Sequence, residues 1–401
     1  MRIVVIVGSY APNYSAVGVC AKNIVDEFTN LGHDVFVIAE ESTAPLPQDL
    51  RERVIRVSSR IHSLLLKPQK KYRTLYRAIR FARSICQTHN VKWDMVGAYL
   101  EGLKQVSTSG NIDLIVPFCF PFEGCYAAAM FKTKNMATEV IPFLFDRFAA
   151  STSLHRMNIN RRFKFQRHLR LENIVFQNST KILFLPSWSD HIKNYHKNCK
   201  AKFVKCEHPL LKPLYCDHYL FDNKKVNIVY TGALLKKVRD PKYCLLCIDN
   251  IIKYNNNIVI HFYSLGDCQE EIDIYQARYP NNVCNHGLVT SDEAHNAIAG
   301  ADILLSIGNN DISQFASKNF EYISTGNPII HFFKHSEDPV NRLLNKYGNA
   351  VLVSESETIE ESSKKIVSFI CSDLKKISFS DIKSSLIEAT PSYIVQQLFP
   401  L

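Results

Sequence analysis

The sequence predicts an α/β protein of two doubly wound domains facing across a cleft, each a parallel sheet with helices on both faces. Three observations carry this expectation. The chain has 401 residues, enough for two or three domains at roughly 100 to 200 residues each. Short apolar runs alternate with helix-length segments, the pattern of parallel strands joined by crossover helices. At residues 207–226, EHPLLKPLYCDHYLFDNKKV, two prolines and mixed charge carry no period, and the alternation then restarts. The expected division is a first domain at 1–206, a linker at 207–226, a second domain at 227–380, and a closing helix within 381–401 that returns to the first domain.

The first series opens with the strand IVVIV, the loop GSYAPNYSA, a helix with Val19, Ile24, Val25, Phe28 and Leu31 on its apolar side, and the strand DVFVI. Gly32 closes that helix, because glycine takes the left-handed conformation after a last turn without steric cost. Further strands are expected at Asp113–Phe118, Val140–Phe145, Lys181–Leu185 and Lys202–Cys206. The second series reads VNIVYTG, a helix from Pro241 to Tyr254, NIVIHFYSLG, a helix from Gln269, NVCNHG, a helix ending near Gly300, DILLSIG, a helix from Ser317 to Thr325, and NPIIHFF.

Composition narrows the function classes. With 46% hydrophobic and 21% charged residues the chain is neither fibrous nor disordered. Its longest apolar stretches, such as Leu114–Phe122, fall far short of the roughly 18 residues a membrane helix needs. The apolar start, Ile3–Val7, is shorter than the roughly 7 to 15 residues of a secretory signal core, so it reads as a strand. Twelve cysteines without paired spacing fit reduced thiols in the cytoplasm. Cys244 and Cys247 share one apolar helix and have no second ligand pair, while Cys199, Cys206, His208, Cys216 and His218 are irregularly spaced, so no zinc site is expected. Residues 51–90 hold eleven Lys or Arg against one acid, Glu52, and so contain the whole net charge of +10. There Tyr72, Leu75, Tyr76, Ile79, Ala82 and Cys86 fall on one helical face, with Lys70, Arg73, Arg77 and Arg80 on the other. Such a helix suits an anionic membrane surface; packing on its own domain with a solvated charged face is the plain alternative. A second basic run spans Arg156–Arg170, with Arg161, Arg162, Lys164 and Arg167. Without stacking aromatics or a reading module, nucleic-acid binding is not expected.

The first loop has Gly8 and Gly18 but no GxGxxG, so Glu40 at the end of the second strand is not the ribose acid of a dinucleotide site. Ser15 to Gly18 nevertheless stand at a helix N-terminus that can meet an anion. The most informative segment is ISQFASKNFEYISTGNPIIHF, Ile312–Phe332. Ser317 is the expected N-cap, Lys318 opens the helix, Glu321 lies in its first turn and Gly326 closes it before Pro328. Free N–H groups, a helix dipole and a lysine suit a diphosphate, and a nearby carboxylate suits vicinal hydroxyls; a capped helix with ordinary surface charges is the plain alternative.

SKNFEYISTGNPII resembles the PSK-x-FEY-x-x-x-GKPII signature of family 4 retaining glycosyltransferases, which have the GT-B fold of two Rossmann-like domains. The opening, with Pro12, Gly18 and LGHDVFVI, is similar to that family's N-terminal pattern, and NNVCNHGLVTSDEAHNAIAGADILLSIGN to its V-x-x-x-G-x-V and ADILL stretch. The three pieces occur in the family's order across nearly the whole chain. The resemblance implies an acceptor-binding first domain and a second domain binding a nucleotide diphosphate sugar. It implies that Glu321 contacts the donor ribose, that Ser317 and Lys318 hold the diphosphate, and that Leu288 and Val289 flank the base. It further implies that Gly18 lets the first loop approach donor or acceptor, that Arg239 neutralises the leaving diphosphate, and that Asp146 lies close to the acceptor.

Three positions depart from the family pattern. Ser313 replaces an acid eight residues before Glu321, Phe145 replaces the histidine before Asp146, and Ala233 replaces an arginine, which leaves Lys236, Lys237 and Arg239 as competing cations. The resulting expectation is a retaining glycosyltransferase that needs no metal, cytoplasmic or peripheral on the inner face of the plasma membrane. Its expected partners are a nucleotide sugar and a glycan or lipid-linked glycan of bacterial surface-polysaccharide synthesis. A nucleotide-sugar epimerase and a non-catalytic GT-B nucleotide-sugar-binding scaffold are the alternatives.

Overall fold

A computed structural model describes the chain except residues 59–80, 83–89, 152–157, 215–220, 222–223, 312–314 and 400–401, and the side chains of 158–160. Most of the basic stretch within 51–90 and Arg156 thus lie outside the described residues, as do Ser313, Cys216 and His218. The chain forms two compact units, residues 1–209 with 391–401, and residues 210–390.

The first unit runs β1 (Arg2–Val7), α1 (Ala16–Asn30), β2 (Asp34–Glu40), β3 (Arg53–Val57), α2 (Trp93–Thr108), β4 (Leu114–Cys119), α3 (Phe122–Lys132), β5 (Glu139–Val140), β6 (Phe143–Leu144), α4 (Asn158–Gln177), β7 (Lys181–Phe184), α5 (Ser189–Tyr195) and β8 (Lys202–Lys205). Its strands are parallel in the order β3-β2-β1-β4-β6-β7-β8, with β5 beside β4. Ile3 to Val7 are fully buried, as a strand covered on both faces requires. The single strand expected at Val140–Phe145 is instead two short ones, because Pro142 has no N–H to donate to the ladder. β5 pairs with the start of β4 and β6 with its end. On α1 the buried residues include Cys20, Ile24, Val25 and Phe28, while Val19 and Leu31, expected on the apolar side, are exposed.

The second unit runs β9 (Val226–Leu234), α6 (Lys242–Tyr254), β10 (Ile258–Gly266), α7 (Gln269–Arg278), β11 (Val283–Asn285), α8 (Ser291–Gly300), β12 (Ile303–Ile307), α9 (Lys318–Thr325), β13 (Ile329–Phe333), α10 (Pro339–Tyr347), β14 (Ala350–Ser354), α11 (Ile359–Ile370) and α12 (Phe379–Ser385). Its parallel strand order is β11-β10-β9-β12-β13-β14. The chain steps outward from β9 and then crosses back to β12. The two strands meet at the topological switch point, where open doubly wound sheets bind ligands beyond their carboxyl ends.

The closing segment departs from the expected 381–401 boundary. α12 belongs to the second unit, with Ile382 and Leu386 in the same apolar cluster as Val340 and Leu344. Only α13 (Pro391–Leu398) joins the first unit, against α1. Its Ile394, Val395 and Leu398 are fully or almost fully buried, each contributing about 1.5–3 kcal/mol through the hydrophobic effect. Lys181 Nζ donates to the carbonyls of Gln397 and Phe399, each at 2.8 Å, and so satisfies groups at the helix end. Among the described residues no helix is long and apolar enough to cross a membrane.

Candidate functional site

In the second unit the carboxyl ends of β9 and β12 bring a guanidinium and an amide together. The loop after β9 turns tightly, with Val238 and Arg239 N–H groups both donating to the Leu235 carbonyl, at 2.8 and 2.7 Å. Arg239 is thereby carried back over the sheet edge. Its Nη2 donates to Asn309 Oδ1 at 2.9 Å and its Nη1 approaches the Tyr230 hydroxyl at 3.4 Å. Asn309 stands in the loop after β12, so these contacts span the switch point. Arg239 is half-buried. Its Nε is buried without a partner, and no carboxylate pairs with it among the described residues. A partly desolvated cation held only by neutral groups is an anion site in waiting. The competing lysines differ: Lys236 forms an exposed ion pair with Glu271, and Lys237 is exposed.

Helix α9 supplies the second part. Its Tyr322 hydroxyl accepts the Thr231 N–H at 2.8 Å, which docks α9 against β9, the strand that leads to Arg239. One residue earlier, Glu321 Oε2 pairs with Lys318 Nζ at 2.6 Å and lies 3.4 Å from His295 Nε2 on α8. Burial alone would raise the Glu321 carboxyl; His295 and Lys318 outweigh it and hold the group below its ordinary range. Oε1 has no partner among the described residues and Glu321 is about a third exposed, at 36%, so this oxygen can accept from a ligand hydroxyl.

The N-terminus of α9 departs from expectation in two ways. Ser317 has helical backbone angles and its side chain caps no N–H. The N–H groups of Ser317, Asn319 and Phe320 already donate to Phe315, Ala316 and Ser317 carbonyls. The local turn therefore consumes donors expected to face a diphosphate, and Lys318 points to Glu321. Gly326 ends the helix in the left-handed conformation at φ 78°. In the loop after β11, Leu288 is 76% exposed while Val289 packs against the core.

In the first unit, Ser15 caps α1 by accepting the Gly18 N–H at 3.1 Å. A Cβ on Gly18 would stand 2.3 Å from the Ser9 carbonyl oxygen. The glycine is thus required by close packing of the first loop on its own helix, and its amide is already engaged. Asp146 follows β6, with its N–H donating to the Cys119 carbonyl at 3.3 Å. Its side chain reaches solvent, yet the surrounding protein raises its carboxyl above the usual range, with His208 acting in the opposite direction. Phe145, at the family's histidine position, is buried and stacked on Phe118 at 5.5 Å. Glu40 lies 3.4 Å from the Tyr99 hydroxyl, an internal partner. Of the basic residues on α4, Lys164 is buried and donates to Asn90 Oδ1 at 2.8 Å, whereas Arg162 and Arg167 are exposed.

Sequence reasoning missed Asn309, His295 and Tyr322. The Gly308-Asn309-Asn310 run directly after the largely apolar strand ILLSI was a usable signal for the first. The other two are ordinary helix residues whose importance arises from packing.

No protein-family model matches the chain, and no curated protein matches its sequence. Solved structures do resemble it. WaaG, a glycosyltransferase involved in lipopolysaccharide biosynthesis, superposes with a TM-score of 0.58 at 12% identity over 100% of both chains. A glycosyltransferase from Rickettsia africae ESF-5 gives 0.60 at 13% identity over 99% of this chain and 96% of its own. A Listeria monocytogenes protein assigned as a UDP-N-acetylglucosamine 2-epimerase gives 0.57 at 10% identity, covering 99% and 94%. The chain has the GT-B fold class, two Rossmann-like α/β domains.

Proposed function

We propose that the chain is a glycosyltransferase that moves a sugar from a nucleotide diphosphate sugar to an acceptor hydroxyl with retention of anomeric configuration. The observation that carries this reading is Arg239, a half-buried cation pinned by Asn309 across a topological switch point, with no carboxylate paired to it among the described residues. Departure of the diphosphate from an oxocarbenium-like sugar is the hard step, and a pre-placed guanidinium meets the charge as it grows. Glu321 takes the ribose hydroxyls and releases Lys318 toward the phosphates, with the Ser317 hydroxyl beside it. Leu288 and Val289 flank the base. In a front-face reaction the departing phosphate oxygen accepts the acceptor's proton, and these fixed cations meet the leaving group's charge without a metal cofactor. Asp146 and the Gly18 loop serve the acceptor in the first unit.

The carboxylate provides the first test. Glu321→Gln is expected to weaken nucleotide binding by about 1.5–3 kcal/mol, the worth of a hydrogen bond to a charged group, in calorimetry across UDP, GDP and ADP. Binding that stays within about twofold removes Glu321 from the ribose site.

The WaaG likeness supports surface-polysaccharide synthesis as the setting, with a lipid-linked acceptor at a membrane and the basic segment 51–90 bringing the protein there. Co-sedimentation is expected to require anionic liposomes and to weaken at 1 M salt, where the screening length falls to about 3 Å. Changing Arg73, Arg77 and Arg80 together to Gln should reduce it. Indifference to anionic liposomes at low salt, together with efficient use of a soluble acceptor, rejects the membrane role alone. The Listeria likeness supports a second reading, a nucleotide-sugar epimerase, which would convert the donor with no acceptor present. A nucleotide-sugar-binding scaffold would bind donor without turnover.

A further inference from the structure

At the edge of the second sheet, β10 and β11 pair in parallel with His261 opposite Cys284. The His286 N–H extends this ladder by donating to the Phe262 carbonyl at 2.9 Å. A strand's two-residue period therefore places His286 on the same face as Cys284. His261 Nδ1 lies 3.1 Å from His286 Nε2, and one ligand atom from each of the three residues, the Cys284 Sγ included, lies within 4.8 Å of the other two.

The orientation of His261 is fixed from behind. Asn227 Nδ2 donates to the Lys225 carbonyl at 2.9 Å and approaches Asp302 Oδ2 at 3.2 Å, which identifies its Oδ1 as the atom facing His261 Nε2 at 3.2 Å. Nε2 therefore carries the hydrogen of the neutral ring, and Nδ1 presents a lone pair to His286. Such outer hydrogen bonds set the tautomer of metal-binding histidines. The His286 ring lies flat on Tyr263, with centroids 4.1 Å apart and 3° between planes. His261 is buried, Cys284 half-buried and His286 exposed, so an ion can arrive from solvent.

We propose that His261 Nδ1, His286 Nε2 and Cys284 Sγ bind one divalent cation of the zinc class, with a fourth position left to water. Zinc–nitrogen bonds of about 2.0–2.1 Å in tetrahedral geometry separate two nitrogens by about 3.3 Å, so the imidazoles need to part by only a few tenths of an ångström. On binding, the Cys284 thiol releases its proton to solvent and the thiolate donates its electron pair to the cation. Gly287 to Val289 follow directly, so the ion fixes the start of that loop. The ligand set stands independently of the transferase reading.

Cobalt(II) is the probe, because thiolate ligation produces a sulfur-to-metal charge-transfer band. The full chain, stripped with a chelator, is expected to bind one equivalent of Co²⁺ with that band and with the visible absorption of a tetrahedral site, and Zn²⁺ should displace it. Cys284→Ser should abolish the charge-transfer band. His286→Gln should lower Co²⁺ affinity by at least about 100-fold, beyond the 10- to 100-fold typical of outer-shell losses. Circular dichroism of both variants checks that the sheet is intact. A wild-type chain that binds no Co²⁺ overturns the proposal, as does a charge-transfer band that survives in Cys284→Ser.

Discussion

Replacing Glu172 by Ala is expected to lower the stability of the first unit by about 3 kcal/mol or more, the cost of leaving three buried hydrogen-bonding groups unsatisfied at about 1–3 kcal/mol each. Glu172 is fully buried on α4, and His191 and His196 both direct Nε2 at its Oε2, at 2.8 and 2.9 Å. Its Oε1 accepts the Ala149 N–H at 2.8 Å. Removal strands two buried imidazoles and a backbone donor. Burial acts to raise the Glu172 carboxyl, but the hydrogen bonds from His191 and His196 outweigh it, and the group is held below the ordinary range. A depressed folded value contributes stability above the unfolded glutamate value of about 4.3. That contribution is lost as pH falls through the folded value. The gap between wild type and Glu172→Gln should therefore be full at neutral pH and close in acid. The chain's only two tryptophans, Trp93 and Trp188, lie in the first unit, so urea unfolding followed by tryptophan fluorescence reports this unit alone. A loss under about 1 kcal/mol, or a gap independent of pH, contradicts the pairing.

Arg239→Ala is expected to reduce turnover by about 10²–10³-fold, the range for removing one donor to developing transition-state charge, with a smaller loss of donor affinity. The reason is differential: charge on the diphosphate grows during departure, so a group placed for it acts more on kcat than on binding. Lys318→Ala should show the same asymmetry. Arg239→Lys should rescue only part of the activity, since an ammonium cannot hold Asn309 and, in the proposed role, bind a phosphate through one planar fork. Unchanged turnover with weakened donor binding in a titration would reduce Arg239 to a simple anchor.

The alternating apolar runs were legible because both faces of a parallel sheet are covered, and buried strands such as Ile3–Val7 must be continuously hydrophobic. Helix ends at Gly326 and Gly32 were legible because few residues accept a left-handed backbone. Arg239 was nameable only as one of three cations. What distinguishes it is half-burial and the Asn309 contact, which depend on a partner 70 residues away. The α9 N-terminus shows the converse: SKNFEY was conspicuous, yet the local turn takes up N–H groups that the sequence alone left open.

The sequence by itself determined the two doubly wound series and named the candidate site residues, because strand period, helix stops and charge are local properties. Only the tertiary structure decided which of those residues stand together. Sheet register placed His261 beside Cys284 and His286, and strand order put Arg239 against Asn309. Packing of α4 and α5 drove Glu172 and two histidines into one buried cluster. Juxtapositions of this kind depend on how distant segments align in register, and no local pattern encodes that alignment.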